Sequence, residues 1–241
     1  MERTNAYSLL DFLDNSPCNF FATATIQRYL DDNGFQELKQ SERWNLEKGG
    51  KYYVKKNDTA IFGFVIGETP LDQSGFNMIS AHSDSPCFRI KPNPEMLADG
   101  VLKLNTEVYG GPILYTWFDR PLSLAGRVIV RNPQNPARPI TKLIDFASPV
   151  LIIPHLAIHF NRNVNAGNPL SKQKDMLPIA AIVSDSMSKN NFLIDQIKER
   201  LEIADSKDIL DFDLMLYNCQ KSQLVGFNKE FICSGRIDDL S

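Results

Sequence analysis

The side chains best suited to chemistry fall in three short segments, at residues 82–86, 155–159 and 236–239. His82 and Asp84 stand two apart in His82-Ser83-Asp84-Ser85-Pro86. A histidine at the end of a strand is a rigid metal ligand. A carboxylate two residues on can accept a hydrogen bond from its other ring nitrogen, which fixes the tautomer and raises ligand basicity. Taken alone, such a pair is more often a satisfied polar contact in a loop. In Arg236-Ile237-Asp238-Asp239, two adjacent carboxylates follow a strand. They suit a hard or borderline cation, and one could bridge two ions. Taken alone, the run is more often a charged surface turn.

The third segment, His155-Leu156-Ala157-Ile158-His159, has histidines at the i, i+4 spacing of a zincin helix, but Leu156 stands where that motif carries its glutamate base. No third ligand accompanies them, so a zincin is excluded. Gly110-Gly111 and Trp117-Phe118-Asp119-Arg120 resemble no phosphate-binding loop. The chain has no G-x-x-x-x-G-K-[ST], G-x-G-x-x-G or G-x-S-x-G, which removes the commonest nucleotide-binding and serine-hydrolase readings.

The elements that must position these residues are legible in the apolar pattern. Leu9, Leu10, Phe12 and Leu13 share one face of a helix that stops at Ser16-Pro17, where proline disfavours continuation. A second helix is expected from about Phe20 to Asp32, with Ala22, Ile26, Tyr29 and Leu30 facing a core and Asn33-Gly34 as its stop. Residues 51–56 and 59–66 read as a hairpin turning at Asn57-Asp58. Phe76 to Ala81 reads as a short buried strand that delivers His82. Strands are expected at 101–108, 126–130, 212–217 and 230–233. Helices are expected at 154–163, opened by Pro154, and at 187–203. The stretch 132–139, with three prolines, is a loop.

Composition bounds the function. The 241 residues suffice for one large or two modest domains. With 26 basic and 29 acidic residues the net charge is −3, which argues against a nucleic-acid or membrane-surface partner. No run approaches the roughly 18 apolar residues of a membrane span, and the first residues lack the pattern of a secretory signal. Cys18, Cys87, Cys219 and Cys233 are scattered, and the expected state is four free thiols in a reducing cytoplasm.

Taken in order, the motifs resemble the aspartyl aminopeptidase (M18) family of zinc metallopeptidases over nearly the whole chain. The resemblance is carried by Ser16-Pro17, by Ala81 to Cys87 and by Val108-Tyr109-Gly110-Gly111. It continues through Thr116 to Leu122, Leu124 to Val128, Ile153 to His159 and Ser234 to Asp238. The Tyr109-Gly110-Gly111 and Trp117 to Leu122 segments favour M18 over other co-catalytic zinc hydrolases such as deacylases or tetrahedral aminopeptidases.

The resemblance implies an α/β fold: a metallopeptidase catalytic domain, partial here, interrupted by an inserted β-rich dimerisation domain. The first catalytic part would span 1–91, the insert 92–225, and the catalytic fold would resume over 226–241. His82 matches the family's zinc-ligand histidine, Asp84 its orienting carboxylate and Asp238 the aspartate that bridges both metals. His159 matches a histidine that reaches a neighbouring subunit's active site. The family's general-base glutamate and remaining ligands lie beyond the bridging aspartate, so the resemblance implies an incomplete and inactive portion of an enzyme. The intact enzyme would hold two zinc ions roughly 3.5–4 Å apart, this chain none or one. Expected partners are peptides with acidic or neutral N-terminal residues and further copies of the chain, as a dimer building block and, intact, a dodecamer. The alternative reading is a non-catalytic remnant serving as an oligomerising structural or regulatory subunit.

Overall fold

The computed structural model describes residues 4–70, 73, 75–183 and 191–237. The chain is mixed α/β and divides into two compact units, one built from residues 1–85 and 222–241 and the other from 86–221.

The first unit opens with helix α1 (Thr4–Asp14), followed by α2 (Asn19–Asp32). Both end where the sequence predicts, and Gly34, at φ +78°, takes the left-handed conformation that closes the second. Its inward face holds Ala22 as expected, with Ile26 and Leu30 half-buried, and departs from expectation at Tyr29. Phe20, Ala22 and Thr23 point inward, whereas Tyr29 is exposed. Strand β1 (Gln36–Glu37) pairs in parallel with β2 (Lys51–Lys56), which forms a hairpin with β3 (Ala60–Val65). Asn57 and Asp58 both adopt positive φ, the conformation that a tight hairpin turn asks of its two central residues. Tyr53 fastens α2 to this sheet: its hydroxyl donates to Asp31 Oδ1 at 2.8 Å and accepts from Gln27 Nε2 at 3.1 Å. Burial, then the bond to Asp31, pushes its pKa up to about 12.

Residues 75–82 overturn the expectation of a buried strand. They form no strand and every one is exposed, Phe76, Met78 and Ile79 included. An apolar run is buried only if another element covers it, and among the described residues none does. The unit ends in a small antiparallel hairpin, β10 (Gln223–Val225) with β11 (Phe231–Cys233).

The second unit is a six-stranded antiparallel sheet in the order β7-β6-β9-β4-β5-β8. Its strands are β4 (Cys87–Ala98), β5 (Val101–Tyr109), β6 (Leu122–Val130), β7 (Ile140–Asp145), β8 (Ile179–Ile182) and β9 (Ile209–Asn218). Strand β4 is hidden in the sequence by Pro92 and Pro94, which cannot donate to a ladder. The structure places them in a break of register between Ile90 and Glu95, where Asn93 takes φ +50°. Helix α3 (Phe192–Arg200), shorter than expected, lays Leu193 and Ile197 into a core shared with Phe88, Leu104, Leu122, Leu124, Ile153 and Leu214. Residues 187–190 of the expected helix lie outside the described residues.

Two devices lock β6 to β9. Gly126 sits so close that a Cβ would meet the Asp213 carbonyl oxygen at 2.0 Å, so only glycine fits. Asp213 also binds Arg89 of β4 through Oδ1 and Nε at 2.6 Å and lies 3.8 Å from Arg127 of β6, tying three adjacent strands. The predicted helix over 154–163 is absent. Isolated turns take its place, with Phe160 N donating to the Ala157 carbonyl and Asn161 N to that of Ile158.

Candidate metal centre and histidine turn

His82 and Asp84 meet as the spacing predicts. His82 Nδ1 lies 3.0 Å from Asp84 Oδ1 and 2.8 Å from the Asp84 backbone carbonyl. Both contacts accept from an Nδ1 proton, which selects the tautomer whose Nε2 lone pair can coordinate a cation. The loop is pinned one residue on, where Ser83 Oγ donates to the Thr59 carbonyl at 2.8 Å, beside the β2–β3 turn. His82 is thus oriented by a loop that hangs on a hairpin, rather than by a buried strand. Its side chain is nearly half exposed.

Asp238 and Asp239 lie outside the described residues, but the approach to them is held firmly. Arg236 Nη2 donates to the Leu13 carbonyl at 2.9 Å and Nε to the same oxygen at 3.3 Å. Its Nη2 also stands 3.9 Å from Asp14, in a side chain only 9% exposed. A guanidinium at a helix C-terminus satisfies carbonyls that have no intrahelical donor and lies at the negative end of the helix dipole. Ser222 joins the same knot: its N–H donates to Asp14 Oδ1 at 2.8 Å and its hydroxyl to Ser234 Oγ at 2.9 Å. Sequence reasoning placed Arg236 in a charged turn and missed this anchoring role. The signal was a lone arginine two residues before the carboxylates, which periodicity does not reveal. Among the described residues no group of three or more His, Cys, Asp or Glu could hold a metal.

In the second unit the two histidines part company. His155 is positioned from its backbone, whose N–H donates to Asp119 Oδ1 at 3.0 Å. Its ring stands edge-on to Phe118 with centroids 4.6 Å apart, and Nδ1 lies 2.9 Å from the Leu156 carbonyl. Asp119, at φ +53°, is held in turn by its own N–H to the Ile153 carbonyl. His155 lines an open cavity of about 460 Å³ with Lys103, Phe118, Asn161, Lys174 and Asp175. His159 is exposed in the turn beyond and is not among the residues lining that cavity. Without a helix, the i, i+4 spacing does not bring the pair onto one face.

An oriented histidine–carboxylate pair can supply one ligand of a metal centre, and the family of the chain decides whether it does. Over residues 12–241 the sequence matches the model of the aminopeptidase I zinc metalloprotease family, M18, and the chain belongs to that family. A probable M18 family aminopeptidase 2 of Clostridium novyi is 52% identical over 236 residues, covering 98% of this chain and 54% of that protein. The chain spans about half the length of the curated relatives it matches. Among solved structures, the complex of Ape4 and Nbr1 contains a chain 32% identical with a TM-score of 0.89, covering 95% of this chain and 47% of that one. The Chaetomium thermophilum mApe1 structure is 31% identical with a TM-score of 0.85, covering 98% and 55%. The described residues contain no helix long and apolar enough to cross a membrane.

Proposed function

We propose that this chain supplies part of the active site of a two-zinc aminopeptidase. His82 is a zinc ligand through Nε2, Asp84 orients it, and Asp238 bridges the two ions. The observation that carries the reading is the His82–Asp84 pair within an M18 chain. Zinc there would lower the pKa of a bound water and polarise the scissile carbonyl. What this chain's own residues do is hold the ligand tautomer and, through Arg236, tie the end of the β11 segment to the end of α1. Peptides with acidic or neutral N-terminal residues are the substrates proposed for the intact enzyme, in the cytoplasm. The four free cysteines agree with that compartment.

The second unit serves as the dimerisation domain, inserted into the catalytic one with boundaries near 92 and 225. Its support is a sheet whose edge strand β7 lacks an outer partner among the described residues, and exposed Leu156, Ile158 and Phe160 near His159. His159 acts in a neighbouring subunit, as a hydrogen-bonding group toward the substrate.

The test is zinc content. The chain alone binds none or one ion and turns over no aminoacyl substrate, because the rest of the ligand set and the base are absent. Asp84→Asn weakens zinc binding by about 10–100-fold, and His82→Ala weakens it at least as much. Zinc affinity unchanged in both variants would remove His82 from the site. No specific zinc even when the remaining ligands are supplied in one longer polypeptide would favour the scaffold reading, in which the second unit associates and the first does no chemistry.

A further inference from the structure

The second unit holds an open cavity that the zinc reading does not use. Its volume of about 460 Å³ falls within the roughly 300–1,000 Å³ of small-molecule sites. Its walls are bonded from within the unit. Asn168 Nδ2 donates to Asn161 Oδ1 at 2.9 Å, and the Tyr115 hydroxyl donates to the Asn168 carbonyl. Phe118 stands edge-on to His155, whose backbone N–H is held by Asp119. The turn that carries Lys174 is fixed by Ser171, whose N–H donates to Asp175 Oδ2 at 2.7 Å and whose carbonyl accepts from Lys174 N. A cavity whose walls are tied before anything enters costs its ligand little ordering.

The lining joins an excess of positive charge to apolar surface. Lys103 and Lys174 both line the cavity, and neither forms an ion pair among the described residues. One carboxylate, Asp175, shares the lining, and one of its oxygens is already taken by Ser171. His155 has Nδ1 committed to the Leu156 carbonyl, which leaves Nε2 as the ring's other polar atom. Phe118, Leu170 and Leu177 supply the apolar part. A cation would meet an excess of like charge there, and a bare inorganic anion would leave the apolar wall wet. We propose that this cavity binds a small organic carboxylate on an apolar body. That chemistry is shared by a free amino acid with an apolar side chain and by the C-terminal residue of a peptide. The carboxylate pairs with Lys103 and Lys174, and the apolar side chain lies against the apolar lining. The site needs neither zinc nor His159, which lies outside the lining.

The experiment titrates the full chain with N-acetyl-L-phenylalanine, followed by calorimetry. The expected result is 1:1 binding that weakens at least about tenfold when the carboxylate is replaced by an amide, in N-acetyl-L-phenylalaninamide. Lys103→Met weakens binding by about tenfold. Lys174→Met, at an exposed position where the fold does not depend on it, weakens binding by about threefold, and raised salt weakens it further. Lys142→Met, on exposed β7 surface outside the cavity, leaves it unchanged. L-Phenylalanine, with its amine free, separates the two sources. Binding tighter than that of the acetylated form supports the site as one for free amino acids, and equal or weaker binding supports it as one for peptide C-termini. Equal affinity for acid and amide overturns the proposal, as does binding unmoved in both lysine variants. Absence of binding at about 10 mM also overturns it, because a ligand of this size should reach a roughly millimolar dissociation constant.

Discussion

The two units spend their apolar residues differently. In the unit of residues 86–221, six strands and α3 close around one continuous core. Phe88, Leu102, Leu122, Leu124, Ile153 and Leu214 are essentially without solvent contact. In the unit of 1–85 and 222–241, burial is sparser, with Leu10 of α1, Phe20, Ala22 and Thr23 of α2, and Tyr52, Tyr53 and Val54 of β2 inside. Phe62, Phe76, Met78, Ile79, Phe227 and Phe231 lie outside. The unit that carries His82 and the approach to Asp238 is therefore the less finished of the two. The lesson is that a chain can be family-typical along its whole length and still be self-sufficient in only part of it.

The comparison breaks first if the closed unit is hollowed. Phe88 stands edge-on to Trp117 with centroids 4.9 Å apart and is fully buried. Phe88→Ala should cost about 3–5 kcal/mol and lower the midpoint of a denaturation transition reported by Trp117 fluorescence. Trp44, in the other unit, should report a transition little changed. If both report equal losses, the units do not unfold independently and the contrast fails.

Next in size is the knot that holds the open unit together. Arg236→Ala removes charge-assisted bonds to the Leu13 carbonyl, worth about 1.5–3 kcal/mol, and leaves that oxygen only the long bond from Ser16 N–H at 3.3 Å. Hydrogen exchange should quicken in α1 and in the β10–β11 hairpin, with the six-stranded sheet untouched. Arg236→Lys, a point charge without the fork, should recover only part of the loss.

Tyr53 supplies a pH test of the same unit. Its folded pKa is raised from 10.0 to about 12, by burial first and then by the hydrogen bond to Asp31. Between these values the unfolded phenol gives up its proton while the folded one keeps it. The stabilisation is therefore full below pH 10 and lost as pH climbs toward 12. Tyr53→Phe should flatten that decline. Tyr217, whose hydroxyl donates to Asp145 Oδ1 at 2.7 Å, is shifted upward by the same causes in the other unit. Tyr217→Phe should flatten the decline reported there, and only there.

How much of this was legible in the sequence follows the same division. The helices before residue 34, the β2–β3 hairpin and the strands β5, β6 and β9 announce themselves, because periodicity, Ser16-Pro17, Asn57-Asp58 and Gly34 all act locally. Strand β4 was missed because Pro92 and Pro94 read as breakers, and only the sheet shows that they occupy a bulge. The helix expected over 154–163 failed because its pattern fits a helix but the segment is spent on turns around Asp119 and His155. Residues 76–81 misled for a different reason. Their apolar content does mark a surface to be covered, but a sequence does not say whether the cover lies in the same chain. The His82–Asp84 pair was legible because it depends on two neighbours. Arg236's grip on Leu13, across more than 200 residues, was not.

The smallest expected effect is the sharpest statement of the contrast. Phe76 is as large as Phe88 and belongs to an equally apolar run, yet in the chain as it stands its ring faces water. Phe76→Ser should thus remove no cavity-lining contact and leave no polar group unsatisfied. Surface changes away from such features usually fall within about 0.5 kcal/mol, so the urea midpoint of the open unit should scarcely move. What should change is behaviour that depends on exposed apolar surface, namely fluorescence of a bound hydrophobic dye and loss of protein to aggregation at high concentration, both lower in the variant. A loss of stability approaching that of Phe88→Ala would mean that the row is covered within the chain itself. The open unit would then be as closed as its neighbour.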